Sequence, residues 1–235
     1  MTAMMMEKNY TAAAESPAAH RTFKAKDPIS ALTHFIGFLL AIAGTPILLV
    51  HAASRGAGLS DMIALSVFCL SMIQLYGASA SYHSFDVNPK VNMVLKKLDH
   101  MSIFLLIAGS YTPICVSALG GSTGTALLIA VWSIAVLGCL FKYFWVTCPR
   151  WVSSVIYISM GWAVLGVMGK ILTALSPAAF AWLLAGGVIY TVGGVIYALK
   201  LPIVPKNNIG FGNHELFHLF VMAGTLCHFI VMLCL

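Results

Sequence analysis

Residues 31–53 read ALTHFIGFLLAIAGTPILLVHAA, a run without a single Asp, Glu, Lys or Arg. As a helix rising 1.5 Å per residue, such a run is about 35 Å long, enough to cross a hydrocarbon core roughly 30 Å thick. Six further runs of the same kind follow at 59–83, 99–119, 122–144, 151–172, 178–199 and 212–234, each bounded by charges, Gly or Pro. The whole chain has 235 residues, 60% hydrophobic and only 9% charged, with a mean hydropathy of +0.93. That composition excludes a soluble globular domain and leaves no length for a separate one. The expected fold is all-α, a polytopic seven-transmembrane-helix bundle in the cell membrane.

Residues 1–27 contain no continuous apolar segment. They read as a disordered cytoplasmic tail and not as a cleaved signal peptide, with the membrane domain spanning 28–235. Six cysteines are scattered without a C-x-x-C pair, which argues against a cysteine zinc site or a disulfide framework. The net charge of +6 is explained by topology. Lys8, Arg21, Lys24, Lys26, Lys90, Lys96, Lys97, Lys142, Arg150, Lys200 and Lys206 fall on one side of the seven spans, and only Arg55 and Lys170 on the other. Such a bias predicts a cytoplasmic N terminus and an external C terminus, and it removes the reason to invoke a nucleic-acid partner.

Several local features have ordinary membrane readings. Segment 86–98 is amphipathic and reads either as an interfacial helix or as a plain basic loop. Pro113 is expected to kink the third span. The glycines of spans five and six are expected to permit close helix approach, and Tyr143, Trp145 and Trp151 to form part of an aromatic belt.

Polar side chains inside spans are costly and therefore informative when they meet. Ser79 and His83 share a face in the last turns of the second span, Asp99 and Ser102 in the first turn of the third, and His214 and His218 in the first two turns of the seventh. Alternating span direction puts all three groups in the same leaflet. Three imidazoles suit zinc and leave a fourth tetrahedral position open, which is a catalytic arrangement. The expected metal ligands are His83, His214 and His218. His228 lies roughly 15 Å further along its helix and is too far to join them, while His34 and His100 read as packing or supporting groups.

HELFH, residues 214–218, also matches the H-E-x-x-H pattern of zinc proteases. Intramembrane metalloproteases place that motif on an early helix and take an acidic ligand from a later one. Here no Asp or Glu follows Glu215. Glu215 is then incidental to the chemistry, and Asp99 is the better acid–base candidate, with Ser79 placed to orient water or bind an oxyanion.

The runs SASYH (79–83), LDHMS (98–102) and HELFH (214–218) resemble, in order and position, the S-x-x-x-H, D-x-x-[GS] and H-x-x-x-H motifs of the progestin and adipoQ receptor / haemolysin III family. THFIG from Thr33 and AGSYTP from Ala108 are similar to its bacterial haemolysin III branch. The resemblance implies a seven-helix bundle with intracellular zinc at His83, His214 and His218, in a superfamily that also includes alkaline ceramidases. The leading expectation is a hydrolase of lipid amides or esters in the cytoplasmic leaflet, with membrane lipids as partners and a role in lipid homeostasis or fluidity. Two alternatives stand beside it: a receptor-like sensor whose zinc only ties helices together, and, less favoured, an intramembrane protease.

Overall fold

The structure, a computed structural model, describes residues 24–201, 203–204 and 210–235. Most of the expected tail, residues 1–23, lies outside the described residues, as does Lys206. Among the described residues the chain is helical throughout, without a strand. The helices are α1 (Pro28–Ser54), α2 (Leu59–Ser84), α3 (Pro89–Pro113), α4 (Gly121–Phe144), α5 (Arg150–Gly161), α6 (Met168–Ala174), α7 (Pro177–Leu199) and α8 (Asn213–Leu233). With α3 extended to Leu119 and α5 joined to α6, these give seven segments long and apolar enough to cross a membrane.

Proline begins three of the helices, where its missing N–H costs nothing and its fixed φ suits the first turn. Asn88 Oδ1 accepts from Val91 N at 3.0 Å, and Ser176 Oγ from Ala179 N at 3.2 Å. The Asn-Pro start makes α3 longer than its apolar run. Residues 89–98, read from the sequence as an interfacial segment or a loop, are its first turns.

At its far end α3 changes character at Pro113. Beyond it, Ile114–Leu119 form a wide π turn that stops at Gly120, whose φ is 57°. α4 passes so close to this turn that a Cβ on Gly124 would sit 2.1 Å from the Cys115 carbonyl oxygen. The fifth span differs from the sequence reading. No atom would crowd a Cβ on Gly161, Gly166 or Gly169, so these glycines do not serve close packing. The span breaks at Gly161 instead, runs as a 3-10 stretch over Ala163–Val167, and resumes as α6. Tyr111 bridges the break: its hydroxyl donates to Gly161 O at 2.6 Å and accepts from Val164 N at 3.0 Å. In α7 the glycines do mediate close approach, Gly193 against Phe220 and Gly194 against Ile158.

Consecutive helices pack as neighbours, α7 lies against α8, and α1 meets α8 to close the ring. The third span is the most enclosed of the seven. Large apolar side chains such as Leu40, Ile47, Val50, Leu70 and Leu137 point outward, a surface suited to lipid and not to water. Tyr143, Trp145 and Trp151 are exposed together at one end of the bundle.

Candidate metal centre

At that same end, the last turn of α2 faces the first two turns of α8. His83, His214 and His218 each turn a ring nitrogen toward a common point, and those donor atoms lie within 4.8 Å of one another. His83 and His218 are buried and His214 is partly so. The Nε2 atoms of His83 and His214 are 3.2 Å apart. Two nitrogens that each bind a tetrahedral zinc at about 2.05 Å are separated by roughly 3.3 Å, so this spacing fits a shared ion.

The outward nitrogens explain why the inward ones are free to bind. His83 Nδ1 lies 2.9 Å from Asp27 Oδ2. A carboxylate only accepts, so the proton sits on Nδ1 and Nε2 keeps its lone pair. Thr33 spends its hydroxyl proton on Ser30 O at 3.0 Å, which leaves its oxygen to accept from His218 Nδ1 at 3.4 Å, the long end of such a bond. The same tautomer results. A carboxylate or hydroxyl behind an imidazole is the usual support of a metal-binding histidine.

Asp27 was placed in the tail by the sequence reading, yet it sits over the end of α2. Its backbone N–H donates to His83 O at 2.9 Å, that of Lys26 to Ser84 O at 3.4 Å, and the Lys26 ammonium lies 3.6 Å from the Tyr82 ring centroid. Asp27, Ser30, Thr33 and His34 form one stripe at helical spacing, and each touches the centre or its supports. His34 stacks on His218 with ring centroids 3.7 Å apart and planes 13° apart. That spacing, in DPISALTH, was the signal available for finding them.

Glu215 points elsewhere. Its Oε1 accepts from Ser30 Oγ at 2.7 Å and its Oε2 from Gly212 N at 2.9 Å, so both oxygens are committed to α1 and to the start of α8. A carboxylate in the first turn also complements the helix dipole. The H-E-x-x-H pattern thus contributes two candidate ligands and one structural anchor.

A cavity of about 190 Å³ begins at the histidines and continues along α3, α7 and α8. Asp99, Ser79, His34, His214 and His218 line it near the histidines, Cys148, Arg150 and Ser153 of the α4–α5 corner also face it, and most of the remaining lining, as far as His228, is aliphatic or aromatic. Ser79 is 1% exposed and its Oγ has no partner among the described residues, a buried hydroxyl aimed at whatever enters. Asp99 Oδ2 is 3.6 Å from His100 Nδ1. Ser102, grouped with Asp99 from the sequence, donates to the Asp99 carbonyl at 2.6 Å and has no role at the centre.

Similarity to known proteins runs along nearly the whole chain. The family model described as "Haemolysin-III related" matches residues 23–229. "Hemolysin-3" of Bacillus cereus is 37% identical over 212 residues, covering 90% of this chain and 92% of that protein. "Hemolysin-3 homolog" of Bacillus subtilis (strain 168) is 36% identical over 212 residues, with 90% and 95% covered. The "Adiponectin receptor protein" of Drosophila melanogaster is 24% identical over 214 residues, 84% of this chain and 48% of that protein. With seven spanning helices in place, the chain is a multi-pass membrane protein that belongs to the haemolysin-III related family.

Proposed function

We propose that this protein is a zinc-dependent hydrolase of lipid amides or esters, acting in the leaflet that holds His83, His214 and His218. The observation that carries the reading is a cluster of three imidazoles, two of which, His214 and His218, line the polar end of a long, largely apolar cavity whose wall also presents Asp99 and Ser79. Apolar walls accept an acyl chain, and the polar end receives its carbonyl. Zinc, when bound, supplies Lewis acidity that activates water at neutral pH and polarises a carbonyl. Asp99 takes the proton of the attacking water and returns it to the departing amine or alkoxide. Ser79 donates its uncommitted hydroxyl to the oxygen on which negative charge develops. By the charge asymmetry of the loops, this leaflet is the cytoplasmic one.

The test is release of free fatty acid from a panel of lipid amides and esters by the purified protein in liposomes, with and without zinc. Turnover that requires zinc supports the reading. A second reading, a sensor with structural zinc, draws on the same three histidines joining α2 to α8. Stoichiometric zinc without turnover on any lipid of the panel would favour it.

A further inference from the structure

Lys142, counted from the sequence among the charges of the basic side, lies in the last turn of α4 and is 1% exposed. Among the described residues no carboxylate comes within ion-pair distance of it. Its Nζ is 3.1 Å from Cys148 Sγ, in the loop after α4, and 2.5 Å from Ser153 Oγ, in the first turn of α5. The sulfur and the hydroxyl oxygen are 3.2 Å apart, which closes a triangle. A buried ammonium without a counter-ion is costly, and the thiol is the acidic group in hydrogen-bond contact. The contact sets side by side the two groups that yield nucleophiles, a thiol and an amine.

Cys148 and Ser153 also line the cavity, as do Asp99 and Arg150. Of the six cysteines, Cys148 is the one that lines the cavity and the one with an amine in contact. Cys148 is therefore reachable by what the cavity admits, and the largely apolar lining favours an apolar reagent.

We propose that Lys142 and Cys148 form a hydroperoxide-responsive cross-link. The Cys148 thiolate attacks the terminal oxygen of an organic or lipid hydroperoxide. The O–O bond breaks, the alkoxide takes a proton from the Lys142 ammonium and leaves as an alcohol, and Cys148 becomes a sulfenic acid. The freed amine then attacks sulfur, the S–O bond breaks, and the hydroxide carries off a nitrogen proton as water. Sulfur is oxidised by two electrons, the peroxide is reduced, and a sulfur–nitrogen bond joins the end of α4 to the loop before α5. Added thiol reverses it. The step needs neither zinc nor hydrolysis.

The experiment exposes the full-length protein in liposomes to tert-butyl hydroperoxide, alkylates remaining thiols, digests with trypsin and maps the peptides by mass spectrometry. The expected product links Lys142 to Cys148, is lighter by two hydrogens, resists cleavage after Lys142, and disappears with dithiothreitol. In Lys142→Arg the cross-link is lost and the Cys148 sulfenic acid persists, so dimedone labelling of Cys148 rises above wild type. In Cys148→Ser neither product forms. Exposed Cys234 serves as the internal reference for oxidant delivery. Oxidation of Cys234 with Cys148 untouched, or equal dimedone labelling of Cys148 in wild type and Lys142→Arg, would overturn the proposal.

Discussion

Replacing Asp27 with Ala removes the carboxylate that holds the His83 proton on Nδ1, 2.9 Å away, while the Asp27 backbone N–H still bonds to His83 O. The perturbation is thus confined to the side chain. Loss of such a supporting carboxylate typically costs 10–100-fold in metal affinity. Here the Asp27 side chain is 44% exposed while that of His83 is 4% exposed, so solvent replaces part of what is removed and the effect belongs at the lower bound. About tenfold weaker zinc binding is expected, equivalent to roughly 1.4 kcal/mol. Asp27→Asn should fall between wild type and Ala, because its amide oxygen still accepts but carries no charge. The assay is competition between purified protein and a chelator of known zinc affinity, with stoichiometry from elemental analysis. Glu215→Gln is the control, since Glu215 bonds to Ser30 and Gly212 and not to a ligand histidine. Equal affinity for wild type and Asp27→Ala, or equal losses in Asp27→Ala and Glu215→Gln, would refute the role assigned to Asp27.

Replacing His83, His214 or His218 singly with Ala should abolish stoichiometric zinc, and full zinc in His83→Ala would break the trio. Asp99→Asn should lower lipid turnover by about 10²–10⁴-fold with zinc retained, while Glu215→Gln stays close to wild type; the reverse pattern, read by fatty-acid release, would return Glu215 to the chemistry. A C-terminal reporter that works only outside the cytoplasm should be active, as the loop charges require, and activity of a cytoplasm-only reporter there would invert the topology. Tyr111→Phe should destabilise the bundle by about 1–3 kcal/mol, seen as a lower unfolding midpoint in detergent, because Gly161 O and Val164 N lose their shared partner.

The sequence already held the seven spans, because a bilayer imposes length and apolarity on each one independently of its neighbours. It also held the three histidines, whose four-residue spacings and common depth survive without knowledge of packing. What escaped was set by contacts between distant segments. Asp27 is 56 residues from His83, and a lone acid ahead of the first span gives no local sign that it will reach the second. Lys142 is a charge near a span end and carries no mark of burial until α5 folds back over it. The break at Gly161 was visible as three glycines in nine residues, but helix packing and helix interruption use the same residue, and only the empty space around these decides between them. The early start of α3 was written in Asn88-Pro89 and was masked by the lysines that follow.

The two halves of the histidine set are 131 residues apart in the chain, one at the end of the second helix and the rest on the last. Synthesis proceeds at about 5–20 residues per second, so His83 waits on the order of ten seconds before His214 leaves the ribosome. The stripe from Asp27 to His34 waits longer still, although it emerges first. Until the last helix inserts beside the first and closes the ring, the nascent chain offers one of the three candidate ligands, too few to hold an ion. On the proposed function, metal uptake would be tied to the final event of assembly, and a chain truncated before α8 should not load.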